Sequence, residues 1–122
     1  MRRCIGAPIL VACLAFAACS GEARTDPDGA APTFRAALLT SGPVSDAGWY
    51  AGAYDGLMLL RDSMGAQVSH QQTRTPAEFD EAFLSYAADG YDLVFAHGSE
   101  YMDAAMRAGE QFPNTTFVVS GG

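Results

Sequence analysis

From residue 34 onward, short apolar runs alternate with stretches of helical periodicity. Runs rich in aliphatic, aromatic and β-branched residues predict four strands, over residues 34–40, 66–72, 91–96 and 116–119. The stretches between them predict three helices, over residues 49–64, from 76 to a helix end at Gly90, and over 101–112. This alternation predicts an α/β fold, in which right-handed crossovers build a parallel sheet with helices on both faces.

Local signals support the helix ends. Gly65 follows the first helix, at the position where a left-handed residue commonly ends a helix. Thr75, Pro76 and Glu78 have the spacing of a capping box at the start of the second helix. Side chains expected to pack recur at helical spacing: Trp49, Ala53, Leu57, Leu60 and Met64 in the first helix, Phe79, Phe83 and Tyr86 in the second, and Met102, Ala105, Met106 and Gly109 in the third. Ser99 is the expected N-cap of the third helix.

The second strand is more polar than the others, with Ser69, His70, Gln71 and Gln72 in sequence. A strand buried on both faces reads as a nearly continuous apolar run, so this one belongs at an edge of the sheet. We therefore expect the flavodoxin-like strand order 2-1-3-4.

The N-terminus has the pattern of an export leader. Arg2 and Arg3 precede an apolar run over residues 4–18. The run is shorter than the ~20 residues of a transmembrane helix and is typical of a signal peptide. It ends in FAAC at residues 16–19, which resembles the lipobox of bacterial lipoproteins, where the cysteine is lipidated after cleavage.

We therefore interpret residues 1–18 as a lipoprotein signal peptide, Cys19 as the lipidation site, and residues 19–33 as a flexible linker rich in Gly, Pro, Ala and Asp. Lipidation at Cys13, cleavage without lipidation, and a buried N-terminal helix are the alternatives. With Cys19 as the lipidation site, we expect the protein to be exported and attached to the cell membrane through its lipid.

Charge and cysteine content exclude several classes of protein. After the leader, five arginines, no lysines and fourteen acids leave a net charge of −9, without the basic patch of a nucleic-acid-binding protein. All three cysteines lie at or before position 19, so neither a disulfide scaffold nor a cysteine-based zinc site is expected. We expect no metal and no cofactor.

Candidate binding residues follow the strand ends, because open α/β sheets bind ligands beyond the carboxyl ends of their strands. The segments there are 41–49, 97–101 and 120–122. Asp46 can accept hydrogen bonds from a ligand, Gly42 and Gly48 let the backbone approach closely, and Trp49 offers a ring for stacking. Alternatively, Asp46 caps the first helix and Trp49 belongs to the core.

The loop after the third strand adds His97 and Ser99, each with a side chain that can hydrogen-bond a ligand or be satisfied locally. Enzyme signatures are missing: the chain has no GxGxxG after a strand, no Walker loop, no HExxH and no GxSxG. We therefore expect a binding protein and no enzyme.

Four segments in register, at residues 42–49, 89–95, 100–103 and 112–117, carry a family resemblance. The chain resembles the N-terminal part of basic membrane lipoproteins, the PnrA-like or Med-like substrate-binding proteins of ABC transporters. The resemblance implies that residues 34–122 are part of the first lobe of a type I periplasmic-binding-protein fold. Family members are longer, with a second lobe across a hinged cleft.

The resemblance also implies a function. A lipid-anchored protein would capture a small solute, such as a purine nucleoside, and deliver it to an ABC permease. Asp46 and Trp49 match the acidic and aromatic positions of the family's first loop, and residues 97–101 match the loop that lines the cleft. A lipid-anchored ligand sensor with the same fold is one alternative, and a small α/β enzyme is another.

Overall fold

The computed structural model describes residues 33–121. The predicted signal peptide, the lipidation site Cys19 and the linker as far as residue 32 lie outside the described residues, as does Gly122. Within residues 33–121, no helix combines the length and the apolar character needed to cross a membrane.

Four strands and three helices alternate along the described chain. They are β1 (Arg35–Thr40), α1 (Trp49–Met64), β2 (Gln67–Gln72), α2 (Pro76–Ala88), β3 (Leu93–His97), α3 (Met102–Gln111) and β4 (Thr116–Ser120). All the strand pairs are parallel, and the order across the sheet is β2-β1-β3-β4. The predicted fold class and the edge position of β2 are confirmed.

β3 begins two residues later than the sequence pattern predicts. Asp92 lies just before the strand, where its carboxylate accepts a hydrogen bond from the Arg35 amide at 2.8 Å. Its own amide donates to the Arg35 carbonyl at 2.9 Å. Asp92 therefore joins the start of β1 to the chain that enters β3.

The central strands bury alternate residues on opposite faces. On one face, Ala37, Leu39, Val94 and Ala96 join the cluster of buried residues from α2 and α3. On the other face, Ala36 and Leu38 join Leu57 of α1. Successive side chains of a strand point to opposite faces, so helices cover the sheet on both sides.

Two predicted helix faces differ from those observed. In α1, Leu57 is buried but Trp49 and Met64 are exposed. A helix of 16 residues is about 24 Å long, whereas a strand of six residues spans about 20 Å, so the helix ends reach past the sheet.

In α3 the buried side chains are Ala104, Ala105 and Ala108, while Met102 and Met106 are exposed. The small alanines let the helix lie close to α2 and the sheet. The long methionine side chains therefore face away from the core.

The N-terminus of α2 carries the predicted capping box. The Thr75 hydroxyl accepts a hydrogen bond from the Glu78 amide at 3.4 Å, and the Glu78 carboxylate accepts one from the Thr75 amide at 3.3 Å. We expect Thr75→Ala to lower the free energy of unfolding by about 1 kcal/mol, the usual loss for a side-chain cap. Urea denaturation measures it, and Thr75→Ser, which keeps the hydroxyl, is the control. Equal midpoints for the Ala variant and the wild type would contradict a formed box.

Candidate ligand-binding site

The carboxyl ends of β1, β3 and β4 lie side by side at one end of the strands. This carboxyl edge of the sheet is distinct from the edge strand β2. From β1 the chain crosses to β2 on one side, and from β3 it crosses to β4 on the other. The two connections therefore diverge between β1 and β3, which leaves a crevice of the kind in which open α/β sheets bind ligands. The loops that reach this edge are the ones that the sequence predicts.

Asp46 turns back onto the first turn of α1. Its carboxylate accepts hydrogen bonds from the amides of Gly48, Tyr50 and Ala51, each at 3.0 Å. The left-handed backbone of Ala47, with φ 55°, brings the carboxylate to these amides. The bonds from Gly48 and then Tyr50 are the main reason that the pKa of Asp46 is lowered.

Asp46 is therefore a cap of α1, which is the alternative role that the sequence left open. A contact between Asp46 and a ligand remains a prediction. Gly48, which is exposed beside it, also contributes to the helix start, because its carbonyl accepts the Gly52 amide at 3.0 Å.

Trp49 lies flat against His97, with ring centroids 4.1 Å apart and an interplanar angle of 25°. Nε2 of His97 donates to the Trp49 carbonyl oxygen at 3.1 Å, and Nδ1 lies 2.6 Å from the Ser120 hydroxyl. A carbonyl oxygen can only accept, so Nε2 of His97 carries a proton, and Nδ1 shares a hydrogen bond with the Ser120 hydroxyl. Both ring nitrogens of His97 are thus used within the protein.

Trp49 is 56% exposed. The alternative that it belongs to the core is therefore wrong, and its indole is available for stacking at the edge of the sheet. His97 supports this ring from one side. Gly121 approaches the ring edge, because a Cβ built on Gly121 would lie 3.5 Å from Cζ2 of Trp49.

Ser99 lies in a 3-10 turn, Ser99–Tyr101, between β3 and α3. It does not cap α3, whose N-cap is Tyr101 without a side-chain bond. The prediction of a capping serine is wrong because the extra turn moves the helix start beyond the reach of Ser99. Within residues 33–121 the Ser99 hydroxyl makes no hydrogen bond, so it stays available to a ligand at the edge.

The structure adds three residues that the sequence did not single out as a group. The Ser41 hydroxyl donates to the Glu100 carboxylate and lies 2.9 Å from the Tyr50 hydroxyl. Since the Ser41 proton is used by Glu100, Tyr50 donates its own proton to Ser41. Together Ser41, Tyr50 and Glu100 bridge the loops after β1 and β3. For Ser41 and Glu100, the available signal was their position in the loops that follow β1 and β3, whereas Tyr50 lies in the first turn of α1.

Gly42 is required by this bridge. The Tyr50 ring crosses directly over Gly42, where a Cβ would collide with it. The sequence suggests that Gly42 lets a ligand approach the backbone, but the group that approaches is Tyr50.

The chemistry of this edge is hydrogen bonding and stacking. Among residues 33–121, no three His, Cys, Asp or Glu side chains are grouped so that they could hold a metal ion.

Tyr101 lies below the edge, where burial raises its pKa to about 12 and its hydroxyl is 2.8 Å from that of Thr73. Tyr101 is therefore neutral and structural.

A groove of about 690 Å³ begins beside Trp49 and His97 and runs between α1 and β3. Its walls are apolar, with Gly52 and Gly56 on the helix side and Phe95 on the sheet side. Ligand sites usually combine apolar walls with a few polar groups that orient the ligand. Here the polar groups lie at the edge of the sheet, so we place the candidate site there.

The described chain has the fold of one lobe of a periplasmic-type solute-binding protein. The family model for PnrA-like ABC transporter substrate-binding proteins matches residues 33–122, and the chain belongs to this family.

Two solved structures of ABC transporter solute-binding proteins share the fold. The protein from Conexibacter woesei DSM 14684 is 28% identical, with a TM-score of 0.69 over 74% of this chain and 30% of that one. The protein from Aeropyrum pernix K1 is 17% identical, with a TM-score of 0.65 over 70% of this chain and 24% of that one. The second likeness concerns the fold alone.

One relative by sequence is named as a transcriptional activator. The transcriptional activator protein Med of Bacillus subtilis (strain 168) is 26% identical over 84 residues, which are 68% of this chain and 26% of Med. The chain therefore spans between a quarter and a third of the length of Med and of the Conexibacter protein.

Proposed function

We propose that this chain contributes the first lobe of an exported, lipid-anchored protein that captures a purine nucleoside for an ABC permease. The observation that carries the proposal is the exposed indole of Trp49, held on His97 beside the crevice between β1 and β3. A purine base offers a flat face for this ring, and the ribose hydroxyls can bond to polar groups of the edge. Asp46, Gly48 and Ser99 are the proposed ligand contacts beside Trp49 and His97.

Isothermal titration of the complete gene product with adenosine, guanosine and inosine tests the ligand class. Ribose alone is the control, because it offers hydroxyls without a ring to stack. Saturable binding of at least one purine nucleoside, much tighter than that of ribose, is expected. No saturable heat with any of the three would overturn the proposed ligand.

We expect Cys19 to carry lipid, since a run of small residues ends at this cysteine directly before a polar linker. Mass spectrometry of the mature N-terminus should find a diacylated Cys19, and Cys19→Ala should release the protein from the membrane fraction. Cys13→Ala is the matched control and should stay membrane-bound. A mature chain that begins at an unmodified Met1 would contradict the anchor.

The match to Med favours a second candidate, a ligand-responsive regulator with the same lobe. A permease gene next to this one, together with loss of nucleoside uptake when this gene is deleted, would favour the transport role. Unchanged uptake with altered transcription would favour the regulator.

A further inference from the structure

Two carboxylates, those of Asp46 and Glu100, lie in the loops at the crevice between β1 and β3, and they differ in how fully they are bonded. Asp46 accepts three backbone amides, and both of its oxygens are used. Glu100 is exposed and accepts one hydrogen bond, from the Ser41 hydroxyl to Oε1. A carboxylate has about four lone-pair sites, so Glu100 keeps most of its accepting capacity for a ligand.

Glu100 is also held in position. Its carboxylate lies over Gly98, whose φ of 151° and missing Cβ make room for it, since a Cβ there would collide with both carboxylate oxygens. Ser41 holds the carboxylate from the β1 side, and Tyr50 in turn donates to Ser41. An acceptor fixed in advance loses less conformational entropy when a ligand binds.

Within residues 33–121, Glu100 forms no salt bridge with a cationic side chain. Of the four arginines within residues 33–121, Arg61 and Arg107 pair with Asp62 and Asp80. Arg35 lies at the amino end of β1, away from the crevice, and Arg74, which follows β2, forms no salt bridge within residues 33–121. A carboxylate that is not paired with a cation favours hydrogen-bond donors and disfavours anions.

The hydrogen-bonded group of Ser41, Tyr50 and Glu100 also contacts the stacked rings of Trp49 and His97. The Tyr50 ring, whose hydroxyl bonds to Ser41, stands edge-on to His97 with centroids 6.2 Å apart, and His97 lies beneath Trp49. One connected set of side chains therefore carries the exposed Glu100 carboxylate and the exposed indole of Trp49 at the same edge of the sheet.

We propose that Glu100 is a specificity-determining residue of this site: it accepts hydrogen bonds from hydroxyl or amino groups of a ligand that stacks on Trp49. Asp46 instead serves mainly to cap α1. This inference rests on the proposed function and adds the group that selects the ligand. It also predicts that the site disfavours phosphorylated ligands, because a phosphate near Glu100 would meet a carboxylate that forms no salt bridge within residues 33–121.

The test compares Glu100→Gln with wild type in the complete gene product, by titration with adenosine and with adenosine monophosphate. The change keeps the shape of the side chain but removes its charge and one acceptor. We expect adenosine to bind about tenfold to a hundredfold more weakly, as for a lost hydrogen bond to a charged group. The preference for adenosine over its monophosphate should shrink.

Two further variants separate ligand contact from support. Glu110→Gln makes the same chemical change near the end of α3, away from the crevice, and should leave both affinities unchanged. Ser41→Ala frees the Glu100 carboxylate without removing it, so it should weaken adenosine binding less than Glu100→Gln does. Circular dichroism should show the same fold for all the variants.

The outcomes distinguish this inference from the proposed function. If the wild-type protein binds a purine nucleoside and Glu100→Gln leaves that affinity unchanged, only the role of Glu100 is overturned. Wild type that binds no nucleoside would overturn the proposed ligand and this inference with it.

Discussion

Phe83→Ala is expected to lower the free energy of unfolding by about 3–5 kcal/mol, the range for truncating a buried phenylalanine. Phe83 is fully buried, at 0% exposure, in the core formed by α2, α3 and one face of the sheet. Its ring stands edge-on to Tyr101 at 6.1 Å and to Phe117 at 5.6 Å. It therefore packs α2 against the 3-10 turn before α3 and against β4. A cavity at this position would remove contacts among all three elements. Domains are stable by only about 5–15 kcal/mol, so this loss is large.

Urea denaturation followed by circular dichroism measures the effect. Phe34→Ala makes the same chemical change at an exposed position and should cost far less. Phe83→Leu, which keeps most of the volume, should fall between these two variants. Similar midpoints for Phe83→Ala and Phe34→Ala would mean that this core is not the one on which the fold depends.

Trp49→Ala is expected to weaken nucleoside binding about tenfold to a hundredfold, because stacking of a base on an aromatic side chain contributes about 1–3 kcal/mol. The indole is 56% exposed, so its removal leaves little cavity and costs little stability. The loss of affinity should therefore appear without a comparable loss of fold. Trp49→Phe, which keeps a smaller ring, should retain part of the binding.

Titration of the complete gene product with adenosine separates these variants. Leu59→Ala is the matched control, since it removes an equally exposed apolar side chain, 65% exposed, from the same helix. Adenosine binding that is indifferent to Trp49→Ala but sensitive to other residues would show that the ligand lies elsewhere.

The sequence by itself determined the elements and their order. Apolar runs and helical periodicity are local, and so are the capping box at Thr75 and the left-handed Gly65, which ends α1 with φ 66°. The polar composition of β2 was enough to place it at the edge, because burial on both faces requires apolar side chains. The loops at the carboxyl ends of the strands followed from the topology alone.

Only the tertiary structure decided which side chains of those elements are buried and which meet. Periodicity marks a stripe on a helix but not the neighbour it faces, so Met106 seemed as suitable for the core as Ala105, and the packing of α3 chose the alanine. The contact of Ser41 with Glu100 joins residues 59 positions apart, a distance that no local pattern encodes. Local pattern likewise left open whether Asp46 caps a helix or faces a ligand. The answer depends on where its carboxylate points, and that is set by three-dimensional geometry.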